Sequence, residues 1–132
     1  MEGTDNPFWR TNGDELDALA QRHGFKRKGK QNWVRRTTDF VQLINLQRSQ
    51  WADEGRYLNF ALWPLALGEP PSIAESKFHF RTRGESMGAI DLTSVFSGAD
   101  ALTTLDELSA AEASGRLSGL MTRELRELLR KS

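Results

Sequence analysis

Apolar and polar side chains alternate along two neighbouring stretches of the sequence, Leu43-Ile44-Asn45-Leu46-Gln47-Arg48-Ser49 and Tyr57-Leu58-Asn59-Phe60-Ala61-Leu62. Alternation with a period of two is typical of a strand with one apolar and one polar face. They are preceded by Phe25-Lys26-Arg27-Lys28-Gly29-Lys30-Gln31-Asn32-Trp33, in which Gly29 marks the tip of a tight hairpin. Residues 25–37, 40–50 and 56–63, joined by turns at 37–39 and 52–55, are therefore predicted to form an antiparallel sheet.

One helix is predicted before the sheet and two after it. Residues 13–23 have apolar side chains at helical spacing, acids in the first turn and a glycine just after their end. The hairpin at residues 25–37 supplies two strands and residues 40–50 and 56–63 supply one each, so the strand predicted at residues 77–83 is the fifth. Residues 84–100 are interpreted as a loop with a short extended piece at 89–92. Residues 102–112 and 117–130 show helical periodicity.

Together these elements predict an α+β fold: an N-terminal helix, an antiparallel meander sheet of about five strands, and two C-terminal helices packed on one face. Residues 1–12 are predicted to be a flexible N-terminal arm, and residues 13–132 a single domain.

The composition excludes several chemistries. The 132 residues include no cysteine, which removes disulfide frameworks, thiolate zinc sites and cysteine nucleophiles. The 18 basic and 18 acidic side chains balance, so no global field attracts nucleic acid or anionic lipid. With no recognisable leader or apolar run of membrane-spanning length, we expect a soluble, cytoplasmic protein without membrane contact, either a monomer or a homodimer.

The alternation sorts the strand residues into two faces, although a slip of one residue would exchange them. An apolar set, expected to meet the helices, comprises Val34, Ile44, Leu46, Leu58, Phe60, Leu62, Phe78 and Phe80. The opposite set comprises Trp33, Arg35, Asn45, Gln47, Tyr57, Asn59, Ala61, Trp63, His79 and Arg81. The second set combines aromatic surfaces with directional hydrogen-bonding groups, which favours a recognition site. The alternative is that loops or helices cover this face and its amides bond to one another.

A basic segment runs from Lys26 to Arg36 without an acid. Its cations are Lys26, Arg27, Lys28, Lys30, Arg35 and Arg36. They could bind phosphates, with Trp33 as a stacking platform for bases, or they could keep an exposed sheet edge from pairing with other chains. The second interpretation is favoured because acids lie nearby in sequence, so nucleic acid is a disfavoured partner.

No catalytic motif is supported. The pattern Gly84-Glu85-Ser86-Met87-Gly88 matches a nucleophile elbow, but His23 and His79 both precede Ser86 and no helix is predicted to begin at Gly88. Two histidines so far apart do not have metal-ligand spacing. No phosphate-binding glycine loop occurs. We therefore expect no catalytic residue, no metal and no cofactor.

Several blocks, in order, resemble one known family. They are Gly24-Phe25-Lys26-Arg27-Lys28-Gly29, Ile44-Asn45-Leu46-Gln47-Arg48-Ser49, Tyr57-Leu58-Asn59-Phe60-Ala61-Leu62 and Phe80-Arg81-Thr82-Arg83. Over residues 14–83 the chain is similar to the bacterial family catalogued as domain of unknown function 4304. The resemblance implies an α+β fold and transfers no catalytic residue.

The leading hypothesis is a non-catalytic module that binds a protein partner through the polar-aromatic face. Its binding residues would be Trp33, Arg35, Asn45, Gln47, Tyr57, Asn59, Trp63, His79 and Arg81. One alternative is a small-ligand binder or enzyme that uses His79 as acid or base and Arg35 or Arg81 to orient an anion. The other is nucleic-acid binding through the segment from Lys26 to Arg36.

Overall fold

A computed structural model describes residues 6–50 and 55–131. Within them, six strands form one sheet: β1 (Lys26–Lys28), β2 (Asn32–Arg36), β3 (Phe40–Arg48), β4 (Arg56–Pro64), β5 (Phe80–Arg83) and β6 (Leu120–Met121). The α-helices there are α1 (Gly13–Arg22), α2 (Leu92–Asp100), α3 (Leu105–Ala113) and α4 (Arg123–Lys131). The predicted α+β fold class is confirmed.

The sheet is a meander in which each strand pairs antiparallel with the next one along the chain. β3 and β4 form its centre, paired from Phe40 opposite Pro64 to Arg48 opposite Arg56. The predicted order of the first five strands is confirmed, and β6 adds a short outer strand beside β5.

The first helix and hairpin form for local reasons. The Asn12 side chain caps α1 by accepting hydrogen bonds from the backbone N–H groups of Asp14 and Glu15. Gly24, with φ of 83°, ends the helix, and the N–H of Phe25 donates to the carbonyl of Ala20. Gly29 adopts φ of 71° in the turn between β1 and β2, as its predicted hairpin role requires.

The helices pack on one face of the sheet, where they enclose the main core. The sheet contributes Trp33, Phe40, Ile44, Leu46, Leu58, Phe60, Leu62 and Phe80. The helices contribute Leu16, Ala20, Val95, Phe96, Ala99, Leu108, Ala111 and Leu125. The alternation of β3 and β4 therefore identified the buried face of both strands correctly.

The prediction of a loop at residues 84–100 was wrong for its second half, because α2 occupies Leu92–Asp100. Asp91 caps this helix by accepting from the N–H of Ser94, whose hydroxyl in turn accepts from the N–H of Asp91. The extended piece expected at residues 89–92 is not a strand.

The single helix predicted at residues 117–130 is divided. Leu120 and Met121 pair with β5 as β6, and α4 begins only at Arg123. The Thr122 hydroxyl accepts from the N–H of Leu125 at the start of α4. The helix predicted at residues 102–112 occupies Leu105–Ala113.

A second, smaller apolar cluster lies on the opposite face of the sheet. It contains Val34, Val41, Leu43, Ala61, Trp63 and Phe78, with Leu65 and Ile73 packed against it. The placement of Val34 and Phe78 with the helix-facing set was therefore wrong. Part of this face is covered by the segment at residues 65–78, as the alternative interpretation expected.

Two predictions involve residues outside the described ranges. The turn at residues 52–55 includes residues 52–54, which are not described. The flexible arm at residues 1–12 includes residues 1–5, and it stays a prediction. Among the described residues of that segment, Phe8 is buried in the main core and Asn6 donates to the carbonyl of Arg56.

Candidate functional site

A row of polar side chains crosses five strands on the face opposite the helices. The paired positions that define it are Lys28, Asn32, Asn45, Asn59 and Arg83, one on each strand from β1 to β5. Directly opposed residues in antiparallel strands point to the same face, so this register alone brings the five side chains together. We call this set the amide row.

The three asparagines of the amide row form a directed chain of hydrogen bonds. Asn59 Nδ2 donates to Asn45 Oδ1 at 2.9 Å, and Asn45 Nδ2 donates to Asn32 Oδ1 at 2.8 Å. Asn59 Nδ2 also donates to Gln47 Oε1 at 2.9 Å, which ties Gln47 to the row. Such a chain fixes the amide orientations, because each acceptor is bound by the preceding donor.

Several amide nitrogen and oxygen atoms that face away from this chain of bonds have no hydrogen-bond partner among the described residues. Gln47 Nε2 and Asn32 Nδ2 donate no hydrogen bond there, and Asn59 Oδ1 accepts none. Asn59 itself is only 5 % exposed, whereas Gln47 is an exposed residue. The row therefore presents both donors and acceptors to a molecule bound on this face.

An arginine stacked on a tyrosine closes one end of the row. The Arg83 guanidinium carbon lies 4.0 Å from the centroid of the Tyr57 ring, and Trp9 meets the same ring edge-on at 5.6 Å. Arg83 has no acidic partner among the described residues. Its charge is thus held in place by the stacking contact while its N–H groups stay available for a ligand.

A cavity of 350 Å³ adjoins this end of the amide row. Its lining includes Gln47, Asn59, Arg81, Arg83, Ser86 and Ser118. Arg81 is partly engaged, since its Nη1 donates to the carbonyl of Ser76 at 3.2 Å and its Nε lies 3.9 Å from Glu75 Oε2. The cavity is open to solvent, and its lining mixes polar and apolar surface.

The face prediction was wrong for Trp33 and Arg35. Trp33 lies opposite Ile44 on the helix side, and its Nε1 donates to Asp17 of α1 at 2.9 Å. Arg35 lies on the same side, where it donates to the carbonyl of His23 and to the side chains of Gln42 and Asp100. β2 is shifted by one residue from the predicted register, and such a shift exchanges the two faces.

Trp63 and His79 lie apart from the amide row, in and beside the smaller apolar cluster. Trp63 is buried against Phe78, and its Nε1 donates to the carbonyl of Gly68. His79 lies edge-on to Trp63, and its Nδ1 is 2.7 Å from the Thr122 hydroxyl oxygen. The structure therefore brings together Asn45, Gln47, Tyr57, Asn59 and Arg81 and separates them from these two.

The partly buried position of His79 predicts that the stability of the protein depends on pH. Burial lowers the pKa of His79 below its ordinary 6.5, and Glu124 offsets this by a smaller amount. The unfolded chain then takes up a proton before the folded chain does, so the free energy of unfolding is expected to fall as the pH decreases from about 7.5 to about 5.5.

The His79→Gln variant is expected to lose part of this fall in urea unfolding across the same pH range. Glutamine can keep the bond to Thr122 but cannot titrate. The pKa values of Asp91 and Glu107 are lowered from their ordinary 3.8 and 4.5, so these two carboxylates change the stability only at pH values below this window. Equal pH dependence in the variant and the wild type would contradict the assignment.

Sequence reasoning missed three members of the amide row: Lys28, Asn32 and Arg83. Arg83 could have been found, because alternation from Arg81 along β5 places it on the same face. Lys28 and Asn32 required the β1–β2 and β2–β3 registers, which the sequence of β2 does not fix. Among the described histidines, aspartates and glutamates, no group of three is close enough together to hold a metal ion.

The chain matches a protein-family model over most of its length. A family model described as "Domain of unknown function (DUF4304)" matches residues 16–130, which includes the helices beyond Gly84 as well as the sheet. No curated protein and no solved structure matches the chain. No helix among the described residues is long and apolar enough to cross a membrane.

Proposed function

The chain belongs to the DUF4304 family, and we propose that it is a non-catalytic, cytoplasmic binding module that recognises a protein partner through the amide row and its flanks. The observation that carries this proposal is the ordered chain of amides, whose outward donors and acceptors are not used by any described residue. Polar groups at a protein surface bond either to water or to a bound molecule, and these amides are already oriented by the bonds inside the row. Unused capacity at oriented amides favours an external partner.

The composition of the site supports a protein partner. Tyr57 and Arg83 are residue types enriched at protein interfaces, and both are held in defined positions by stacking. The amides extend across three adjacent strands, which suits an extended surface contact better than a single small molecule. Side-chain amides in register can bond the polar groups of a peptide segment laid across the strands.

A small-ligand binder is the second candidate, favoured by the 350 Å³ cavity beside Arg81 and Arg83. The hypothesis of an enzyme that uses His79 as acid or base has less support. His79 does not line that cavity, and the Nδ1 atom of His79 is engaged by Thr122. Arg81 is likewise shared with Ser76 and Glu75. Glu75 is the one acid or base that the described residues place in the cavity lining, so binding is the better-supported role.

Site-specific photo-crosslinking in cells of the source organism tests the proposal. A photoreactive amino acid is placed at Gln47, the exposed side chain bonded to Asn59 of the amide row, and separately at Glu112, an exposed position in α3. The proposal expects one discrete adduct with another protein from position 47 and none from position 112. No adduct from position 47, or the same adduct from both positions, would contradict it.

A further inference from the structure

The basic side chains between Lys26 and Arg36 are distributed over the two faces of the β1–β2 hairpin. Arg27 and Arg35 turn towards the helices, where Arg27 approaches Asp14 and Asp17 and Arg35 is 2.7 Å from Asp100. These two cations are therefore paired within the fold. Lys26 and Lys28 are exposed and lie in register with the opposite face, with Lys26 opposite Val34 and Lys28 opposite Asn32.

The two lysines line a groove next to the amide row. The groove has a volume of 430 Å³, and its lining includes Lys26, Lys28, Val34, Val41, Pro70 and Ile73. Val34 and Val41 belong to the smaller apolar cluster, so aliphatic groups form part of the surface between the cations. The lining also includes Arg36, whose Nη1 donates to Glu69 Oε1 at 2.8 Å.

The described residues leave the charges of Lys26 and Lys28 in this groove without neutralisation. Lys26 and Lys28 have no acidic partner among the described residues, whereas Arg36 is paired with Glu69. Two free ammonium groups beside aliphatic side chains form a surface complementary to carboxylates that alternate with apolar groups. Lys28 is also the first member of the amide row, so the groove continues the proposed partner-binding face.

Nucleic acid fits this groove less well. Single-strand binding sites combine cations with exposed aromatic platforms for the bases. The one aromatic residue between Lys26 and Arg36 is Trp33, which is buried on the other face and 0 % exposed. Among the described residues, the groove lining contains no aromatic side chain and includes the acid Glu69.

We propose that the groove between Lys26, Lys28, Val34 and Ile73 binds an acidic segment of the partner in which carboxylates alternate with aliphatic side chains. This inference rests on the proposed function, because the groove continues the same face. Lysine ammonium groups bind the carboxylates, and the aliphatic side chains contact Val34 and Ile73.

The experiment measures binding of a fluorescent peptide of alternating glutamate and valine by anisotropy, with a glutamine–valine peptide and an oligothymidine as comparison probes. The wild type is expected to bind the acidic peptide at least about tenfold more tightly than the neutral one, and less tightly as salt is raised. Lys26→Gln/Lys28→Gln is expected to remove that preference. Lys30→Gln/Lys131→Gln, which removes equal charge away from the groove, is expected to keep it.

Several outcomes overturn the inference. Equal binding of both peptides, equal loss in the two double variants, or tighter binding of oligothymidine would each do so. Self-association of the wild type that Lys26→Gln/Lys28→Gln abolishes would assign the groove to a second copy of the chain. If any of these results holds and position 47 still crosslinks a partner, the acidic-segment inference fails and the proposed function stands. If position 47 yields no partner, the proposed function itself fails.

Discussion

Replacing Trp33 with alanine is expected to lower the free energy of unfolding by about 3–5 kcal/mol, the range for deleting a large buried aromatic side chain. Trp33 is 0 % exposed in the main core and donates to Asp17 of α1 through Nε1. The alanine variant loses apolar burial, leaves a cavity and deprives α1 of one attachment to the sheet. Urea unfolding followed by circular dichroism measures the loss.

Trp33→Phe provides the matched control. Phenylalanine keeps most of the aromatic volume but not the indole N–H, so a loss of only about 1–2 kcal/mol is expected. A loss below about 0.5 kcal/mol for Trp33→Ala would contradict the register of β2, because exposed substitutions have effects of that size. It would instead support the sequence-based placement of Trp33 on the polar face.

Replacing Gln42 with leucine is expected to cost about 2–4 kcal/mol, although leucine is the more hydrophobic residue. Gln42 is buried on the helix side of β3, where its Nε2 donates to the carbonyls of Ala99 and Leu102 and its Oε1 accepts from Arg35. It thus connects the sheet to the C-terminal end of α2. Leucine would leave the Leu102 carbonyl and an arginine N–H without this partner.

Gln47→Leu is the control, because it makes the same change in the same strand on the exposed face. Its expected effect on the free energy of unfolding is within about 0.5 kcal/mol. Both variants are compared by urea unfolding under identical conditions. Equal effects of the two substitutions would show that the two faces of β3 do not differ as described.

The central strands could be predicted because apolar and polar side chains alternate clearly over residues 44–47 and 57–60. In β3 and β4, Ile44, Leu46, Leu58 and Phe60 fall at every second position, and the structure buries all four. β2 offers no such pattern, since Trp33 and Val34 are adjacent apolar residues followed by two arginines. Its register depends on the β1–β2 turn and on contacts with α1, which a local pattern does not encode.

The C-terminal part was harder to predict for two different reasons. The start of α2 was signalled by Asp91 and Ser94 at capping spacing, but the glycine and serine residues around it have low helix propensity. In β6, tertiary pairing overrides a helical pattern: Leu120 and Met121 have helical spacing with Leu117 but pair with Arg81 and Phe80. Gly119 permits this close approach, since a Cβ there would lie 2.5 Å from the carbonyl oxygen of Arg81.

The candidate site could be predicted only in its centre. Asn45, Gln47, Tyr57 and Asn59 lie on the two well-patterned strands, so their common face followed from alternation. The cations at the ends of the amide row belong to β1 and β5, and only the sheet register connects them to the asparagines. The covering of Trp63 by the segment at residues 65–78 is a tertiary contact between loop and sheet.

The most direct test of the central claim, that the amide row serves binding rather than stability, is the double variant Asn45→Val/Asn59→Val. Its affinity for the partner crosslinked through position 47 and its free energy of unfolding are measured together. Valine favours strands and removes both partners of the central hydrogen bond, so we expect stability within about 1 kcal/mol of the wild type. Partner affinity is expected to fall at least about tenfold. Unchanged affinity, or a loss of stability above about 3 kcal/mol, would contradict the claim and identify the amides as structural.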